Sequence, residues 1–90
     1  MNEKIIRALV DAGAVRRVRI IADQSSFYVE IQTSNGASTA ETLKGKLKTW
    51  STLDATARWV RSLGIGEAQL MLARWSPEQR QMSLVDRDKK

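Results

Sequence analysis

Apolar residues near the start of the chain fall at Ile5, Ile6, Leu9 and Val10, a stripe at helical spacing opposite Glu3, Arg7 and Asp11. Asn2 offers a side-chain oxygen to the first turn, and Gly13, free to adopt a left-handed backbone, ends the helix. The period then changes from helical to alternating. Over residues 15–22, Val18, Ile20 and Ala22 alternate with Arg17, Arg19 and Ile21, which predicts a strand with one apolar and one largely cationic face. Asp23, Gln24 and Ser25 supply a turn. Phe27, Val29, Ile31 and Thr33 then alternate with Tyr28, Glu30 and Gln32, a second strand expected to pair antiparallel with the first.

Asn35-Gly36 predicts a type I′ hairpin turn, because both residue types accept positive φ, and a third strand over residues 37–43. The segment TLKGKLKTW, residues 42–50, fits two readings: a turn at Lys44-Gly45 into a short fourth strand, or one bulged strand running through Gly45. Under either, Lys46 and Lys48 share a face opposite Leu47 and Thr49, and Lys44 joins them if no bulge intervenes. Ser51, with Asp54 three residues on, predicts the N-cap of a second helix. Its expected buried stripe is Leu53, Ala57, Val60 and Leu63 with Trp59 at the edge, while Thr56, Arg58, Arg61 and Ser62 face outward. Gly64 closes it, with Ile65 folding back on Val60. Ala68, Leu70 and Leu72 alternate with Gln69, Met71 and Ala73 in a last strand that ends near Trp75, stopped by Pro77.

The pattern predicts an α+β fold in the order α-β-β-β(-β)-α-β: an antiparallel sheet of four or five strands with two helices on one face. Residues 1–76 make one domain, and residues 77–90, polar and aperiodic, a flexible tail. One sheet face or edge stays bare. Three Trp and Met71 in so short a chain supply apolar surplus for covering it with another copy, so a homo-oligomer is expected.

Composition narrows the chemistry. With no Cys and no His in 90 residues, thiolate and imidazole routes to metal binding and nucleophilic catalysis are closed, and no cofactor is expected. The carboxylates Glu30, Glu41, Asp54 and Glu67 form no evident acid/base constellation, so the chain reads as no enzyme. No apolar run spans a membrane and no basic leader precedes an apolar core, so a cytoplasmic protein is expected.

Charge adds one positive feature. The chain carries a formal +5, and residues 15–50 hold six cations against three acids. Arg17 and Arg19 on one strand, Lys44, Lys46 and Lys48 on the following segment, and Arg58 and Arg61 on the second helix form a candidate phosphate-binding platform, with Tyr28 available to stack. The competing reading is ion pairing with Glu30 and Glu41 together with edge-strand lysines that block aggregation. Trp59, flanking the apolar stripe, is expected to pack, while Trp50 and Trp75 sit where partial exposure is open; Trp75 and Tyr28 are candidate anchors for a protein partner.

The runs KIIRALVDAGAVRRVRII, TLKGKLKTWSTLDATARWVRSLGIG and ARWSPEQ resemble the small ParC-type partition-associated proteins of plasmids and integrative conjugative elements, which are unrelated to the topoisomerase subunit of that name. The resemblance covers roughly residues 3–80 and brings no functional residue with it. It implies a bacterial accessory protein encoded near partition genes, with a role in stable inheritance or conjugation; taken with the cation platform, the expected partner is DNA, contacted weakly through its backbone, or else a partition or conjugation protein. The order of elements is also similar to that of double-stranded RNA-binding domains. Those carry lysines at the start of the second helix, where this chain has Ser51, Thr52 and Asp54.

Overall fold

The computed structural model describes residues 1–76. Helix α1 (Glu3–Asp11) leads into strands β1 (Arg17–Gln24), β2 (Ser26–Thr33) and β3 (Gly36–Thr39), followed by α2 (Leu53–Ser62) and β4 (Gln69–Trp75). The fold is α+β in the expected order. The tail expected over residues 77–90 lies outside the described residues.

The sheet runs β3-β2-β1-β4. β1 and β2 pair antiparallel from Arg17 opposite Gln32 to Asp23 opposite Ser26, and β2 pairs antiparallel with β3. β4 instead runs parallel to β1, so the sheet is mixed rather than antiparallel throughout. A parallel neighbour needs a long crossover, and residues 40–68, carrying α2, supply it. Gln24 adopts φ +62 at the first loop position of the β1–β2 hairpin, the left-handed backbone that suits the twist of a two-residue turn. The β2–β3 hairpin departs from the type I′ expectation: Thr33 pairs with Gly36, the loop is Ser34 and Asn35, and of these residues only Gly36 has positive φ. The Thr33 hydroxyl accepts from the Asn35 amide at 3.1 Å, so a side chain organises the turn that the backbone does not.

β3 ends at Thr39, short of the residues 37–43 expected to follow the Asn35-Gly36 turn. After Thr39 the chain turns tightly over residues 42–46, where the Thr42 amide donates to the Lys46 carbonyl at 2.7 Å and Gly45 sits at φ +85. This is the turn alternative, but the returning arm makes only single bridges, Leu47 to Glu41 and Trp50 to Phe27, in place of a fourth strand.

Strand alternation places the core. Val18, Ile20 and Ala22 from β1 and Phe27, Val29 and Ile31 from β2 face one side and meet Ile6, Val60, Leu63 and Ile65. Both helices therefore lie over the same face. Asn2 caps α1 by accepting from the Ile5 amide at 3.0 Å, as the sequence suggested, and Gly13 takes φ +70 beyond its end. At α2 the cap is Thr52, whose hydroxyl accepts from the Ala55 amide at 3.1 Å; Ser51 lies one residue outside it. Asp54 is thereby released from capping and pairs with Arg58 one turn on, at 3.0 Å. The buried stripe is rotated as well. Thr56 is fully buried, donating its hydroxyl to the Thr52 carbonyl at 2.8 Å, whereas Leu53 and Ala57 are exposed. Buried Val60 and Leu63 match the expectation.

Candidate functional site

The seven cations proposed as a phosphate platform are distributed over three places. Arg17 and Arg19 stand on the outer face of β1, opposite the core residues Val18 and Ile20. Arg19 is held there, donating to Glu30 at 3.4 Å and to Gln69 at 3.1 Å. Lys44 and Lys46 project from the tight turn. Lys48, half-buried, is not beside them: its ammonium lies 5.4 Å from the centroid of Trp50 and 5.8 Å from that of Trp59, against two rings whose own centroids are 4.9 Å apart. Trp59 belongs to α2, so this cation is on the helix side of the sheet, as are Arg58 and Arg61. Alternation fixes the side within each strand, but it does not say where residues 42–50 go after β3 ends. The outer face and the helix side point in opposite directions, so the seven do not form one surface.

The largest local electrostatic perturbation is also structural. Trp59 Nε1 donates to Glu3 at 3.2 Å and Arg7 Nε donates to the same carboxylate at 3.0 Å; these bonds, the indole's foremost, hold Glu3 below the usual carboxylate range. Lys48 adds attraction from nearby. The cluster ties the first turn of α1 to α2.

A different surface stands out at β4. All seven residues of this strand are exposed, and among the described residues its outer edge has no neighbouring strand. Leu70, Met71, Leu72 and Trp75 retain 40%, 41%, 46% and 43% of their accessible surface. The strand has a bulge: Ile21 pairs with Met71 but Asp23 with Arg74, so Leu72 and Ala73 together oppose Ala22. The extra residue returns the next side chains to the opposite face. Trp75 thus joins Leu70 and Leu72 on the helix side, 6.4 Å from the ring of Phe27, while Arg74 turns outward and pairs with Asp23 at 3.2 Å. Phe27, Leu53, Leu70, Leu72 and Trp75 line an apolar groove of about 430 Å³ where the helices do not reach the last strand. Ser25, Ser51 and Thr52 close its end.

Of the two proposed partner anchors, Trp75 lies in this groove and Tyr28 does not. Tyr28 follows Phe27 on β2 and so faces the outer side, opposite Ile21 of β1. Periodicity places Leu53 in the buried stripe of α2 and reads Leu70 and Leu72 only as one face of a strand; the sequence signal for this site is that the last strand carries one charge, Arg74, and no lysine or proline, so that if it lies at an edge the edge is unprotected. On the outer side, Arg16 and Arg17 border an open cleft of about 500 Å³ with Glu67 and Gln69. Among the described residues no helix is long and apolar enough to cross a membrane, and no three acidic side chains gather as a metal site. Comparison with protein-family models, curated proteins and solved structures finds no match to this chain.

Proposed function

We propose that this chain is a non-enzymatic protein-interaction module that takes a partner's strand along the free edge of β4. Side chains of that strand would seat in the apolar groove beside α2. The observation that supports this is the concentration of exposed apolar residues, Leu70, Met71, Leu72 and Trp75, on an edge that has no neighbouring strand among the described residues. Strand addition draws affinity from main-chain hydrogen bonds and specificity from pockets for alternate side chains, and this edge has both elements. An aromatic anchor within an apolar patch is also where binding energy concentrates at protein interfaces. The resemblance to partition-associated proteins suggests the setting, a mobile bacterial element, and a partition or conjugation protein as the kind of partner.

A second reading is weak DNA contact through the backbone. It draws on Arg16 and Arg17, exposed and in no ion pair among the described residues, and on Lys44 and Lys46. The division of the cations over opposite sides favours the edge reading over this one.

The two separate in pull-downs from paired extracts, one untreated and one nuclease-treated, with cross-links mapped on the bait. A protein cross-linked to residues 69–75 is expected, retained by the Arg16→Glu/Arg17→Glu variant and lost on Leu70→Lys/Leu72→Lys or Trp75→Ala. Retention that follows the arginines and disappears with nuclease would replace the edge reading with the DNA one.

A further inference from the structure

We infer that the strand taken up by β4 is β4 of a second copy, running antiparallel about a two-fold axis that passes through Met71 perpendicular to the sheet. This rests on the edge reading above and names its occupant.

Register is the first support. Residues directly opposite one another in an antiparallel pair point to the same face. With Met71 on the axis, Leu70 of each copy stands opposite Leu72 of the other on the helix side, and the two Met71 side chains meet on the outer side. Placing the axis at Leu72 would oppose Leu70 to Arg74, which the bulge has turned to the other face. An axis at Leu70 keeps the faces matched but shortens the overlap, because β4 begins at Gln69. The Met71 register sets residues 70–72 against their counterparts, short of the outward-turned Arg74, and joins the two apolar grooves across the seam.

Charge is the second. Glu67 lies just before β4 and Arg74 near its end, where the Arg74 side chain is still 68% exposed despite its bond to Asp23. Antiparallel pairing brings the acidic end of each strand toward the basic end of the other. Parallel pairing would set like against like.

The opposite edge of the sheet provides the third. β3 spans only Gly36–Thr39, and the N-terminal amine donates to the Thr39 carbonyl at 2.9 Å while the Glu41 amide donates to the Met1 carbonyl at 2.8 Å. That edge is short and partly covered by the chain's own start. One long free edge per copy among the described residues gives a self-complementary contact that closes at two subunits and leaves an eight-stranded sheet with all four helices on one side.

The full chain should sediment, from micromolar to hundred-micromolar concentration, as a reversible dimer of twice its 10.1 kDa mass. Met71→Glu and Met71→Lys should each weaken association at least tenfold by setting like charges on the axis, and an equimolar mixture of the two should restore it. Because the chain has no cysteine, Met71→Cys should give a single disulfide-linked dimer on mild oxidation, whereas Ala37→Cys on β3 should not. A monomer at every concentration, or a dimer indifferent to both charged variants, overturns the second copy as occupant. If the monomer still retains a protein that Leu70→Lys/Leu72→Lys releases, the edge reading survives with a foreign strand; if it does not, both readings fall.

Discussion

Trp59 donates its indole N–H to the Glu3 carboxylate at 3.2 Å, joining the middle of α2 to the first turn of α1. Arg7 bonds the same carboxylate from the next turn of α1 and also donates to the Ser62 carbonyl at 3.2 Å, so the two helices are stitched by polar contacts above the core. These contacts require Glu3 to be ionised.

The pH dependence follows from that requirement. The Glu3 pKa is lowered in the folded chain, first by the Trp59 bond and then by Arg7. A group with a depressed folded pKa binds its proton less readily than in the unfolded chain, so its contribution is present above the unfolded value and is lost as pH falls through the folded one. Thermal melts should show Tm dropping on acidification below the ordinary glutamate range of about 4.3. Glu3→Gln should flatten that acid limb and lower Tm slightly at neutral pH. An unchanged acid limb in the variant would remove Glu3 from this role.

The position of the α2 cap is open to a direct comparison. Thr52→Ala removes the acceptor for the Ala55 amide and should cost about 1 kcal/mol in urea unfolding, whereas Ser51→Ala should stay within about 0.5 kcal/mol of the parent. The reverse order would restore the cap that the sequence pattern favoured.

Gly64 closes α2 at φ +94, where a side chain strains the backbone. A Cβ there would meet Val10 Cγ1 at 3.5 Å, an ordinary contact, so the penalty of Gly64→Ala is conformational and should be about 1 kcal/mol. Val10→Ala in the same background should not relieve it; relief would show that crowding was the cause.

Lys48 over Trp50 and Trp59 should contribute about 0.5–1 kcal/mol through its charge. Lys48→Met keeps most of the aliphatic stem and removes that charge. Urea unfolding followed by Trp fluorescence should show the loss, and Lys48→Arg should recover most of it.

What the sequence disclosed was mostly local. Asn2 and Gly13 bound α1, and the alternation of Val18, Ile20, Phe27, Val29 and Ile31 identified the paired strands and their buried face, because those signals act within a few residues. Features set by distant neighbours were not legible. Alternation gives a strand no direction, so nothing in QLMLARW announced a parallel pairing with β1. Two adjacent hydroxyl residues, Ser51 and Thr52, can each cap the helix, and which face it buries is set by the sheet beneath it: Thr56 lies one turn before buried Val60 and goes under with it, leaving Leu53 and Ala57 outside. The face of Trp75 depends on a bulge two residues earlier that no residue type signals. The candidate site was missed for that reason: Leu70 and Leu72 have core periodicity, and only the reach of the helices decides that they remain uncovered.

The separation in sequence between β1 and β4 imposes an order of assembly. The two hairpins close over short loops, but β4 joins β1 only after the crossover carrying α2 is in place, with contacts such as Arg19 to Gln69 spanning 50 positions. Entropy favours the short closures first. During that interval the open side of β1 is a vacant berth, and the last strand of a neighbouring nascent chain fits it as well as the chain's own. Exchange of the final strand between copies is therefore the expected failure at high expression, an entanglement distinct from side-by-side pairing and one that slow refolding at low concentration should undo.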